Sequence, residues 1–136
     1  MDAITAPSMF PVEHTGSNDV APADPAGETL PLLKGTLDLL ILKTLSWAPM
    51  HGFGIALWLD EHSAGALGVD DSALYQSLHR LEGRGLVDAE WGVTGNNRKA
   101  RYYRLTRAGR QQLRRDASLW MRYATTVGAI LAAERV

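Results

Sequence analysis

The stretch DSALYQSLHRLEGRGLVDAEWGVTGNNRKARYYRLTR, residues 71 to 107, constrains the fold more than any other part of the chain. Leu74, Leu78 and Leu81 recur at the spacing of one helical face. They predict a helix from Ser72 to Arg84, capped by Asp70, Asp71 or Ser72 and ended by Gly85. Leu86 to Val93 then alternates as a strand does, with Leu86, Asp88 and Glu90 on one face and Val87, Ala89 and Trp91 on the other. Thr94 to Ala100 is turn chemistry, and Arg101 to Leu105, with its two tyrosines, suits a returning strand. A helix followed by a hairpin with a cationic tip can place the helix in a DNA major groove and the hairpin on the adjoining backbone or minor groove. The expected fold is mainly α with a small β-hairpin: a winged helix-turn-helix followed by a C-terminal dimerisation helix.

The helix face opposite the leucines carries Ser72, Gln76, His79 and Arg80, with Tyr75 on the flank. Gln can pair twice with adenine and Arg with guanine, while Ser and Tyr can donate to phosphate. The hairpin tip adds Asn97, Arg98, Lys99 and Arg101, next to Asn96. An amphipathic helix or a charge run alone is usually a solvated surface. Their order along the chain is what makes these nine residues candidate contacts to double-stranded DNA. Glu82 and Glu90 are the counterweight, and are expected to point away from it.

The whole chain of 136 residues carries a formal charge of −1, which by itself argues against a polyanion partner. The distribution reverses that argument. Residues 1 to 33 hold five acids and no Lys or Arg, whereas residues 72 to 115 hold ten bases and three acids, a local charge of +7. Fields fade over roughly 8 Å in physiological salt, so the local value decides. Cysteine is absent, which excludes disulfides and thiolate metal sites and is compatible with a reducing cytosol. The sequence has no apolar run near the ~18 residues of a membrane span and no leader-like start. A soluble cytoplasmic protein with no membrane partner is expected.

Residues 1–31 hold five of the six prolines and no periodic pattern, and predict a disordered acidic tail. Residues 32–105 form the expected DNA-binding domain, and 106–136 the dimerisation helix. Thr36 is placed to cap a helix over residues 37 to 45 that is apolar on more than one side, which hints at burial against another subunit. A second helix is expected from Gly52 to Glu61, with Phe53, Ala56, Leu57 and Leu59 facing a core. Thr106 can cap a last helix reaching about Ala132. Its stripe of Leu113, Ala117, Trp120, Ala124, Val127 and Leu131 has the spacing of a coiled-coil seam. Such a stripe can pack on its own domain, but the helix outruns a core of this size. A homodimer contact through these six residues, helped by Leu37 and Ile41, is therefore expected.

Signs of catalysis are weak. His51, His62 and His79 lack a partner at metal-ligand spacing, and His14 lies in the tail. His51 suits a capping role at a helix start. Gly52-Phe53-Gly54 lacks the third glycine and the preceding strand of a phosphate loop, and no serine has a nucleophile-elbow context. Neither an enzyme, a metal site nor a cofactor is expected. Trp47, Trp58 and Trp91 read as core or edge residues. A winged helix used only to bind a protein partner is the alternative to a DNA-binding role.

From Leu32 to about Leu131 the chain resembles the PadR family of transcriptional regulators. The resemblance rests on LLKGTLDLLILKTL at 32 to 45, PMHGFGIA at 49 to 56, SALYQSLHRLEGRGLV at 72 to 87, AEWG at 89 to 92 and NNRKARYYRLTRAGR at 96 to 110. It implies a bacterial or archaeal regulator, mostly a repressor, acting as a homodimer; two recognition helices so paired are expected to meet a pseudo-palindromic operator. It implies a recognition helix from Ser72 to Arg84 with Tyr75 touching DNA, and a wing from Gly92 to Arg101. It also implies that an aromatic small molecule binding near the dimer interface releases DNA in some members, which makes Trp120, beside Met121 and Tyr123, the candidate ligand contact. The family usually has Pro after the motif tyrosine. Here Gln76 restores a backbone N–H and adds a side chain able to read a base.

Overall fold

A computed structural model describes residues 29, 30, 32, 33 and 35–135. The elements run α1 (Thr36–Leu45), β1 (Met50–His51), α2 (Gly52–His62), α3 (Asp71–Gly83), β2 (Val87–Val93), β3 (Lys99–Leu105) and α4 (Arg107–Ala132). The strands form one antiparallel sheet in the order β1-β3-β2. The hairpin is thus joined by a third strand that the sequence reading lacks: Met50 pairs with Tyr103 and His51 with Tyr102.

Helix α1 lies at the centre and touches α2, α3, α4 and β3. This position corrects two expectations. Leu37 and Ile41, assigned to the dimer contact, are buried inside their own chain, Ile41 completely. The apolarity of α1 on several sides is satisfied by helices of the same domain, so it does not require a second subunit. Thr36 is also not the cap. Gly35 holds that position with φ 85°, and no side chain caps the helix. Asp38 in the first turn supplies the negative charge that a helix N-terminus favours.

The core gathers Ile41, Leu42 and Leu45 of α1, Ile55 and Leu59 of α2, Leu74, Leu78 and Leu81 of α3, and Val87, Tyr103 and Leu105 of the sheet. Burying each large aliphatic side chain contributes about 1.5–3 kcal/mol, and this packing fixes how α3 stands against the sheet. In α2, Ile55 faces the core, while Phe53, expected there, is 38% exposed. Asp70 caps α3 by accepting the Ala73 N–H at 3.1 Å, and Thr106 caps α4 by accepting the Gly109 N–H at 2.9 Å. Leu30, inside the expected tail, donates its N–H to the Ala66 carbonyl at 2.8 Å and bridges to Leu67 before α3. The remainder of the expected tail, residues 1–28 and 31, lies outside the described residues.

Helix α4 runs 26 residues, about 39 Å at 1.5 Å per residue. Only its first turns meet the core, through buried Gly109 and half-buried Leu113. Beyond them Leu119, Trp120, Met121, Tyr123, Ile130 and Leu131 are exposed. Among the described residues no helix is long and apolar enough to cross a membrane.

Candidate nucleic-acid interface

Leu74, Ser77, Leu78 and Leu81 anchor α3 in the core, and this turns the opposite face outward. There Ser72, Tyr75, Gln76, His79 and Arg80 line one open concavity. All five helix residues singled out in the sequence therefore share a surface. Their chemistry differs in readiness. Ser72, Gln76 and His79 are exposed. Arg80 is already engaged: its Nη2 lies 2.8 Å from Asp38 Oδ1 and 2.9 Å from Ser77 Oγ. Its guanidinium is therefore held against α1, with just over half of the side chain still exposed.

Tyr75 is half-buried, its ring lying against the Gly52 backbone so closely that any side chain there would collide with the phenol. Burial raises the phenol's pKa, and the nearby Tyr103 and Asp71 add to the rise. The phenol thus keeps its proton at neutral pH and is a donor suited to a phosphate oxygen. Next to it, His51 caps α2 as its sequence position suggested, with Nδ1 accepting the Gly54 N–H at 3.0 Å. The His51 ring meets Tyr102 of β3 edge-on at 5.2 Å.

The wing tip is a tight turn. The Asn97 N–H donates to the Thr94 carbonyl and the Thr94 N–H to the Arg98 carbonyl, both at 2.9 Å. Asn97 takes a left-handed φ of 63°, a conformation that asparagine tolerates better than most residues. Thr94 Oγ1 accepts the N–H groups of Asn96 and Arg98, each at 3.3 Å. Arg98 and Lys99 project from this turn exposed, with no ion pair to a described residue. Arg101 does not join them. Its Nη2 is 2.8 Å from Glu82 Oε2 at the end of α3. A pair this exposed is worth about 0–1 kcal/mol in stability, so its significance is geometric.

Strand parity orders the two sheet faces. Arg101 reaches toward α3, so its cross-strand partner Trp91 and the next pair, Val93 with Lys99, lie on that same face. Trp91 and Val93 are both exposed, and so is Trp47. Of the three tryptophans read as core or edge residues, Trp47 and Trp91 are therefore not core, Trp91 standing on the edge strand β2, and Trp58 is partly buried and packs on the core. Sequence reasoning missed Trp91 and Val93 as wing-surface groups because alternation identifies a shared face without saying whether anything covers it. Glu90 occupies the other face, beside the loose Asp88–Arg104 pair at 3.5 Å.

Of the proposed interface residues on α4, Leu113 packs on the core, and Ala117, Ala124 and Val127 are partly exposed. Trp120 is 40% exposed and lines an open concavity with Gly35, Leu39, Asp116, Leu119 and Tyr123. Among the described residues no group of His, Asp and Glu could hold a metal ion.

The sequence model of the transcriptional regulator PadR-like family matches residues 41–115. A crystal structure of a PadR-family transcriptional regulator from Eggerthella lenta is similar with a TM-score of 0.63 and 31% identity, over 74% of this chain and 86% of that one. A PadR-like regulator from Bacillus cereus gives 0.65 and 27%, over 75% and 97%. Bacillus subtilis PadR, solved in complex with operator DNA, gives 0.53 and 24%, over 58% of this chain and 45% of that one, a likeness of fold. A curated but uncharacterised protein of Lysinibacillus sphaericus is 25% identical over 89 residues, 65% of this chain and 82% of its own.

Proposed function

The chain belongs to the PadR-like family of transcriptional regulators, and from that premise we propose that it is a sequence-specific DNA-binding repressor acting as a homodimer in the cytoplasm. The observation that carries this reading is the shared outward surface of Ser72, Tyr75, Gln76 and His79 beside a wing tip whose Arg98 and Lys99 have no ion pair among the described residues. Helix α3 enters the major groove, where Gln76 and His79 face base edges and Ser72 and Tyr75 hold phosphates. Arg98 and Lys99 take the backbone alongside. The operator-bound relative from Bacillus subtilis supports DNA as the partner.

This assignment makes the wing measurable. Each neutralised phosphate contributes about −0.9 to the log–log dependence of affinity on salt. An Arg98→Ala/Lys99→Ala variant is therefore expected to lose about 1.8 of that slope per protomer pair of contacts, read by fluorescence anisotropy across a salt series. An unchanged slope would remove the wing tip from the interface and favour the protein-partner alternative.

Dimerisation is assigned to the outer half of α4, with Trp120, Ala124, Val127 and Leu131 as the seam. Support comes from exposure in the single chain: Leu131 is 79% exposed although apolar. Two copies so joined can hold their recognition helices about one DNA turn, ~34 Å, apart on a pseudo-palindrome. A Val127→Glu/Leu131→Glu variant is expected to sediment as a folded monomer at micromolar concentration and to lose specific DNA binding. An aromatic effector is assigned to the concavity beside Trp120, where a planar molecule can stack against the indole and alter the angle between protomers. Quenching of tryptophan fluorescence together with a drop in DNA affinity is the expected signature.

A further inference from the structure

We propose that Glu82 and Arg101 form a latch that fixes the angle of the wing against the recognition helix, and that Arg101 is a positioning residue and not a phosphate contact. The pair joins the last turn of α3 to β3 at 2.8 Å. The guanidinium also lies 5.9 Å from the ring centroid of the buried Tyr103, and its Nε is buried without a hydrogen-bond partner. Arg101 is thus drawn inward over the sheet, away from the exposed tip.

The lever arm explains why a latch matters. The hairpin is fixed at its root, where Val87 and Leu105 are buried and the Leu86 N–H donates to the Leu81 carbonyl at 2.9 Å. Strand β1 and the core hold it as far as Tyr102 and Tyr103, and beyond them the strands run on from Trp91 and Arg101 for about three residues, roughly 10 Å, to the tip at Arg98 and Lys99. Along the outer part Trp91, Val93 and Lys99 are exposed. Among the described residues, Glu82–Arg101 is the ion pair that ties this outer part to α3. A small rotation of this outer part, beyond the last pair with β1, shifts the tip by an ångström or more and misplaces it on the adjoining phosphates. Drawing Arg101 away to a phosphate would also leave the Glu82 carboxylate unpaired beside a polyanion.

The latch and the phosphate-contact alternative predict opposite signs for one substitution. The affinity readout rests on the DNA-binding reading above. If Arg101 bound phosphate, Glu82→Gln would remove a repulsive charge and tighten DNA binding. A latch requires the reverse: Glu82→Gln frees the wing, lowers the fraction of molecules with a competent wing, and weakens binding by about two- to fivefold per protomer. Arg101→Gln is expected to weaken binding to the same extent with an unchanged salt slope, whereas loss of a phosphate contact would reduce the slope by about 0.9 for each protomer. The exchanged pair Glu82→Arg/Arg101→Glu restores the ion pair and is expected to return affinity to within about twofold of the original. A measurement without DNA separates failure of the latch from failure of the DNA reading. Residual dipolar couplings of the β2 and β3 amides, compared with those of α3, are expected to shrink in Glu82→Gln and recover in the exchanged pair. Unchanged couplings in Glu82→Gln, or tighter DNA binding by it, would overturn the proposal.

Discussion

Replacing Gly109 by alanine is expected to cost about 3 kcal/mol or more of folding stability, among the largest effects available to a single methyl group in this chain. The first turn of α4 is stitched to the junction between α3 and β2. The Thr106 N–H donates to the Leu86 carbonyl at 3.1 Å, and the Thr106 hydroxyl donates to the Gly85 carbonyl at 2.8 Å. Gly109 sits directly over the same Leu86 carbonyl. A Cβ there would overlap that backbone oxygen and stand 2.8 Å from Leu105 Cδ1. Backbone cannot swing aside as a flexible side chain can, so α4 must lift and strand the buried carbonyl that it serves. At about 4–8 °C per kcal/mol for a domain of this size, the thermal midpoint should fall by roughly 12 °C or more. Gly128→Ala in the same helix is the control. Nothing lies within 4 Å of its Cβ, and alanine favours a helix over glycine by about 0.8–1 kcal/mol. Its midpoint should hold or rise. Equal behaviour of the two variants in differential scanning calorimetry would refute the close approach at Gly109.

Gly52→Ala should produce the opposite division of effects: a modest loss of stability and a large loss of DNA affinity. A Cβ at Gly52 would overlap the Tyr75 phenol oxygen and come within 2.8 Å of Cε1. Tyr75 is 49% exposed, so its ring can rotate into solvent at little cost to the core. The donor for phosphate is then misplaced, and its half-buried environment is lost. DNA binding is expected to weaken about tenfold or more, consistent with the roughly 1.5–3 kcal/mol of a hydrogen bond to a charged group. Tyr75→Phe, which keeps the ring in its seat and removes only the hydroxyl, should lose most of the same affinity with unchanged stability. The released phenol should also titrate at a lower pH, because burial is the chief cause of its raised pKa. Normal DNA affinity in Gly52→Ala, measured by anisotropy, would show that the seated phenol plays no part in binding.

Local chemistry made much of the fold legible. The leucine spacing of α3, the Asp70 and Thr106 caps and the turn residues between β2 and β3 are written within a few positions of where they act. The missing features are those that depend on distant chain. Strand β1 has two residues, too few for any periodicity, and exists because β3 offers it an edge. Leu37 and Ile41 looked available to a second subunit because an apolar helix reads the same whether its own domain or another chain covers it. The acidic partners of Arg80 and Arg101 lie 42 and 19 residues away along the chain. No local pattern joins Arg80 to Asp38 or Arg101 to Glu82. Composition could count the positive charges of this face, but only the fold distinguishes the engaged guanidinium groups from Arg98 and Lys99.

Sequence-specific recognition of DNA is the central claim, and anisotropy of the full chain with labelled DNA from upstream of its own gene tests it most directly. The titration is run at two salt concentrations against an excess of scrambled competitor. The account predicts nanomolar binding that survives the competitor and weakens steeply with salt, within the ~10⁻⁸–10⁻¹¹ M range usual for specific regulators. Equal, weak binding to both DNAs at either salt concentration would contradict it.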